Sequence, residues 1–134
     1  MRFLSRKGKL RGATVVEFAL VAPPFFLLLL GGIEFSRANV ILNTMENAAY
    51  AGARRGIVPG ATAADCEDAA QNILNIIRVN TASITIQPSV ITDETPVVTA
   101  TVQVPLDMSN GWITPKFYLG KSLTANVALP REGT

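Results

Sequence analysis

The sequence has no histidine and only one cysteine among its 134 residues. Without histidine the commonest general base and metal ligand is missing, and neither a Ser-His-Asp nor a Cys-His arrangement can be assembled. The lone Cys66 excludes an intrachain disulfide, and its alanine-rich helical surroundings predict a small buried apolar residue. No zinc-ligand spacing occurs. Gly120-Lys121-Ser122 has the end of a phosphate-binding loop, but Pro115 stands where its first glycine must be, and a strand follows instead of a helix. The acidic cluster Asp65, Glu67 and Asp68 is accounted for by the electrostatics of a helix start, with no need of a metal. These absences predict a protein that is not an enzyme, with no cofactor, no metal and no small-molecule substrate.

A basic folded face is missing as well. Five of the twelve Lys and Arg lie in the first twelve residues, where no acid accompanies them. From position 13 onward seven Lys and Arg face ten Asp and Glu, a net of −3. The formal charge of +2 therefore belongs to a short N-terminal tail, and no nucleic-acid partner is expected.

What is present is a long apolar run. Residues 18–33, FALVAPPFFLLLLGGI, carry no charge, and extension back to position 13 is interrupted only by Glu17. At ~1.5 Å per residue, about 21 helical residues span ~30 Å, the thickness of the hydrocarbon layer. Cations before the run and none within it place residues 1–12 in the cytoplasm and the chain after Glu34 outside it. A cleaved secretory signal is the main alternative, with Ser36-Arg37-Ala38 as its small-x-small triplet, but Glu34 and Arg37 separate that triplet from a run already long for a signal. A helix buried in a soluble core is opposed by the flanking charges and the leucines 27–30. Pro23-Pro24 costs the span two backbone hydrogen bonds, so a kink is expected, better tolerated beside a partner in the membrane.

The helical period continues past the span. Ala38, Ile41, Met45, Ala48 and Gly52 recur at spacings of three and four, Arg54 and Arg55 suit a helix C-terminus, and Gly56 is expected to cap it. One helix of about forty residues is predicted, its second half rich in small residues that permit close approach. Thr62 and Asp65 open a second helix in capping-box fashion, with Cys66, Ala69, Ala70, Ile73 and Ile77 as its apolar stripe and Leu74 and Ile76 beside it.

Then the period falls to two. Ile84 and Ile86; Val98, Ala100, Val102 and Val104; and Leu123, Ala125, Val127 and Leu129 each alternate with mostly polar residues, predicting three antiparallel strands with one covered face. Asp93-Glu94-Thr95 fits the first turn. The second connection is long and holds Trp112, Phe117 and Tyr118, which a long loop can offer as a contact surface, although the favoured reading is that these aromatics fold back on the sheet edge. The fold class is α+β: a long N-terminal transmembrane helix and a second helix packed on one face of a three-stranded antiparallel sheet. The expected organisation is a basic leader, residues 1–12; a membrane span, 13–33; and an extracytoplasmic head, 34–134.

Three stretches carry a family resemblance. Arg11-Gly12-Ala13-Thr14-Val15-Val16-Glu17-Phe18-Ala19-Leu20-Val21-Ala22-Pro23, then Gly32-Ile33-Glu34-Phe35-Ser36-Arg37, then Asn47-Ala48-Ala49-Tyr50-Ala51-Gly52-Ala53-Arg54 resemble the TadE family, pilin-like proteins of the tight-adherence (Tad) pilus machinery. The segment from Leu123 to Arg131-Glu132 is similar to the family's last strand and its closing Arg-x-Glu region. The resemblance implies a pilin-like head on the cytoplasmic membrane of a bacterium, with other pilin-like subunits and pilus assembly proteins as partners. It also implies processing: a prepilin peptidase cuts the leader after Gly12, Ala13 becomes the new N-terminus, and Glu17, the fifth residue after the bond, neutralises the amine of a neighbouring subunit. The alternatives are an uncut Gly12 spacer with Glu17 snorkelling at the membrane edge, and a membrane-anchored binding module that forms no filament.

Overall fold

The computed structural model describes residues 7–79, 81–106 and 121–131, with side chains from residue 12 onward. Helix α1 is Lys7–Gly56, α2 is Ala63–Ile76, and the strands are β1 Ser83–Gln87, β2 Val97–Pro105 and β3 Ser122–Pro130. The chain separates into two compact units, Met1–Ser36 and Arg37–Thr134.

The first unit is helix throughout its described length. It starts at Lys7, within the basic leader, and its helical assignment runs through Pro23 and Pro24 without a break. Val15, Phe18, Leu20, Leu27 and Leu28 are each about two-thirds exposed or more. These positions are distributed right around the helix, and a helix apolar all round demands an apolar surrounding.

The second unit is a small α+β head. Its sheet has the order β1-β2-β3, both pairs antiparallel, with β2 in the centre. Register sets Ile84 opposite Val102 and Val102 opposite Ala125, and Ile86 opposite Ala100 and Ala100 opposite Val127. These rows form the covered face: Val98, Ala100, Val102 and Val104 are buried, whereas Thr99, Thr101 and Gln103 face the other way. The strand phase read from the alternation is correct.

Onto that face pack Ile41, Met45, Ala48, Ala49 and Ala53 of α1 and Cys66, Ala70 and Leu74 of α2. The buried stripe of α2 is therefore an i, i+4, i+8 row, one step round from the stripe expected through Ile73 and Ile77. Those two are only partly buried, as is Val127, and Ile76 is 75% exposed. The slender Cys66 and Ala70 win the inner position because α1 comes so close there. A Cβ on Gly52 would sit 3.1 Å from Cys66 O and 3.3 Å from Ala70 Cβ.

Gly56 is also explained differently from its expected role as a cap. Positive φ occurs at Gly60 and Arg78, not at Gly56. Gly56 is the last residue of α1, and a Cβ there would lie 2.7 Å from Val98 Cγ1 and 3.1 Å from Cys66 Sγ. It is required by packing.

Local signals place α2 as the sequence predicts. Thr62 N–H donates to Asp65 Oδ2 at 2.9 Å and Asp65 N–H donates back to Thr62 Oγ1 at 3.2 Å, a complete capping box. At the other end Arg78 N–H donates to Asn75 O and Val79 N–H to Leu74 O, a Schellman pattern with Arg78 in the left-handed position, φ 57°.

Candidate functional site

Two regions carry the residues singled out by sequence. The first is the start of α1. Ala13 and Glu17 are exposed and four residues apart, so they lie on one side of the helix with Cβ atoms about 5–6 Å apart. The structure brings them together in that sense only. Gly12 has open space around the position of a Cβ, so nothing in the fold requires glycine there. The Gly12–Ala13 bond also lies inside α1, about one and a half turns from its first residue. A protease acting on this bond would need an extended substrate, so these turns would have to open. Gly12 is a weak helix former, and helix ends fray, which lowers the cost of opening here.

Beyond Glu17 follows the apolar stretch that ends before Glu34. Of the described helices, α1 alone is long and apolar enough to cross a membrane, and none of its most apolar window is buried. This fits a single-pass membrane anchor.

The second region is the long β2–β3 connection. Trp112, Phe117 and Tyr118 lie outside the described residues. The ends of the connection are joined, because Leu106 N–H donates to Lys121 O at 2.9 Å, continuing the β2–β3 pairing by one step.

Among the described residues, no group of three or more His, Cys, Asp or Glu side chains could hold a metal ion. Cys66 is buried, and its Sγ–H donates to Thr62 O at 3.2 Å. Burial pushes its thiol pKa up, and the nearby Asp65 and Glu67 carboxylates add to the shift. It is a core residue, unreactive by chemistry as well as by access.

One polar cluster joins two residues that the sequence named separately, Arg131 in a closing Arg-x-Glu region and Asp93 in a turn, without showing that they meet. Arg131, 9% exposed, donates from its backbone N–H to Pro96 O at 2.9 Å, from Nη1 to Thr92 O, and from Nη2 to Asp93 Oδ1 at 3.0 Å. It ties the end of β3 to the turn between β1 and β2. Neither signal, an Arg-x-Glu region after the last strand or an acidic turn, says that the two are in contact.

A long apolar helix leading into a small α+β head fits the class of single-helix-anchored proteins. Residues 12–54 match the family model TadE, described as TadE-like protein. This is the family that the N-terminal residues resemble. The match covers α1 from Gly12 almost to its end and stops short of α2 and the sheet. No curated protein and no solved structure matches the chain.

Proposed function

We propose that this chain is a non-enzymatic, pilin-like membrane subunit that takes part in assembling a Tad-type pilus or a related secretion filament. The observation that carries the proposal is the TadE-like match over residues 12–54, coincident with an apolar helix whose early turns hold Gly12, Ala13 and Glu17. The chain is inserted in the bacterial cytoplasmic membrane with residues 1–12 inside and the head outside. A prepilin peptidase removes the leader after Gly12, and the amine of Ala13 becomes a cation at the edge of the bilayer.

Glu17 then has a role. A carboxylate held in lipid costs about 2.5–3.5 kcal/mol at mid-span, less near the surface, and an amine in the same layer offsets that cost. The Ala13 amine of a neighbouring subunit supplies it, so neutralisation favours association of spans over their dispersal. Prolines 23 and 24 leave carbonyls without intrahelical donors, and a packed neighbour helps to satisfy them.

The test is the N-terminal residue of the protein isolated from membranes, expected to be Ala13. Gly12→Val is expected to leave an inserted, uncut precursor, and Glu17→Ala a cut, inserted chain with a stable head that assembles poorly. A start at Met1, together with normal filaments from Gly12→Val, would overturn the proposal and leave an anchored binding module as the better account.

A further inference from the structure

Two of the head's grooves lie on different flanks of α2, and their charges are opposite. One is lined by Tyr50, Ala51, Arg54 and Arg55 of α1 together with Val58 and Ala69. Its floor is apolar and its cations are exposed; Tyr50 and Val58 are 48% and 43% exposed. Arg55 lies 3.9 Å from Asp65, a partly solvated pair, while Arg54 points to solvent one turn on from Tyr50. The other groove is lined by Glu67, Asp68 and Gln71 of α2 with Ala82 and Ile84 at β1. Both of its carboxylates are exposed. Ala69 borders the first groove and Glu67, Asp68 and Gln71 the second; at about 100° per residue, Glu67 and Gln71 lie far round the helix from Ala69 and Asp68 about a quarter turn or more away. The two linings share no residue and sit on different sides of one helix within one compact unit.

From this we infer that the cationic groove of one copy receives the acidic flank of a second copy. The contact sets Arg54 against Glu67 and Asp68, with Tyr50 and Val58 covered at its centre. The inference rests on the assembly role proposed above and adds how heads meet. Because the two patches differ and do not overlap, the contact is heterologous: each head keeps one groove vacant for the next, and the pattern repeats instead of closing as a symmetric dimer. Opposed charges also set direction, since two cationic grooves or two acidic flanks repel when juxtaposed. Anchoring in one membrane raises the effective concentration of heads, so a small, salt-sensitive contact suffices.

Disulfide trapping in membranes tests this with the full chain. Val58→Cys and Gln71→Cys chains produced together are expected to form a disulfide-linked dimer under mild oxidation. Each produced alone is expected to form several-fold less, and the wild type, with only buried Cys66, none. Adding Arg54→Glu to the Val58→Cys chain should lower the mixed yield several-fold. Adding Asp68→Lys to its Gln71→Cys partner as well should restore it. Equal dimer from Val58→Cys alone, no dimer from the mixture, or a yield indifferent to both charge changes would each overturn the inference. Failure of the assembly role has a different signature: normal filaments from cells lacking the chain, whatever the cross-links show.

Discussion

Gly56 and Val98 approach so closely that a Cβ on the glycine would stand 2.7 Å from the Val98 Cγ1 methyl. Val98 is fully buried and β-branched, so it has little freedom to turn aside. Gly56→Ala gains up to about 1 kcal/mol of helix propensity, less at a helix end. Overpacking costs about 1–3 kcal/mol, and here it wins. The head should lose about 1–2 kcal/mol on balance. Val98→Ala in the same chain should recover part of this loss. The denaturant midpoint for exposure of Cys66 to an alkylating reagent measures both, since that thiol is silent until the head opens.

Arg78 offers a change of opposite sign. It occupies the left-handed position after α2, where a side chain is disfavoured, and its backbone already makes the Schellman bond to Asn75 O. Arg78→Gly removes the conformational cost and keeps the bond. A stabilisation of about 0.5–1 kcal/mol is expected, read as an upward shift in the same midpoint.

Acid should loosen the start of α2 through Asp65. The Thr62 backbone N–H and then its hydroxyl donate to this carboxylate, Arg55 adds a weaker attraction, and together they hold its pKa below the usual carboxylate value. A depressed folded pKa means that the contribution is fully present above the unfolded pKa of about 3.9 and is lost as pH falls through the folded value. Asp65→Asn should therefore be less stable than the wild type at pH 6, with the difference narrowing below about pH 4. Paired denaturation curves at the two pH values check this, and a gap that widened in acid would contradict it.

Arg131 and Asp93 form an unequal ion pair. The arginine side chain is 7% exposed and the aspartate 92%. Solvent screens the carboxylate, so Asp93→Asn should cost no more than about 0.5 kcal/mol. Arg131→Ala removes packing under the turn and leaves the Thr92 carbonyl without this donor, at about 1–3 kcal/mol. A tenfold disparity in hydrogen-exchange protection across the β1–β2 turn would separate the two variants.

Orientation in the membrane yields to labelling from the two sides. In the uncut Gly12→Val precursor, which keeps the leader, Ser5→Cys should resist an impermeant thiol reagent added outside intact cells or spheroplasts, and Asp93→Cys should react with it. The reverse pattern would overturn the topology drawn from the flanking cations.

Much of the head was legible because its physics is local. Strand phase followed from alternation, since one sheet face is covered and a slip of one residue would turn Thr99 and Thr101 inward. The capping box at Thr62 and Asp65 involves residues three apart and needs no tertiary knowledge. What failed was decided by distance between elements. Ile73 and Leu74 are both apolar neighbours on α2, and only the close approach of α1 at Gly52 selects the row through Leu74. A glycine at a helix end can serve a turn or a contact, and the contact of Gly56 with Val98 joins residues 42 positions apart. The buried anchoring of Arg131 is equally remote, spanning 39 positions to Thr92. At the candidate site, Gly12, Ala13 and Glu17 were legible as a motif, and the fold adds only that they share early turns of a helix.

The central place of β2 has a consequence for the order of events during synthesis. β1 and β2 are neighbours in sequence and can pair as soon as both have emerged. β3 closes the other side of β2, and Arg131 fastens it to the β1–β2 turn. Until residues 122–131 are made, one edge of the most apolar strand in the head stays bare, with α1 already complete. That interval favours capture of the unfinished head by a chaperone, or by β3 of another chain, and non-local closure of this kind is slow relative to hairpin formation. The sheet of such a head can therefore close only once its last strand has been made, after the whole of α1.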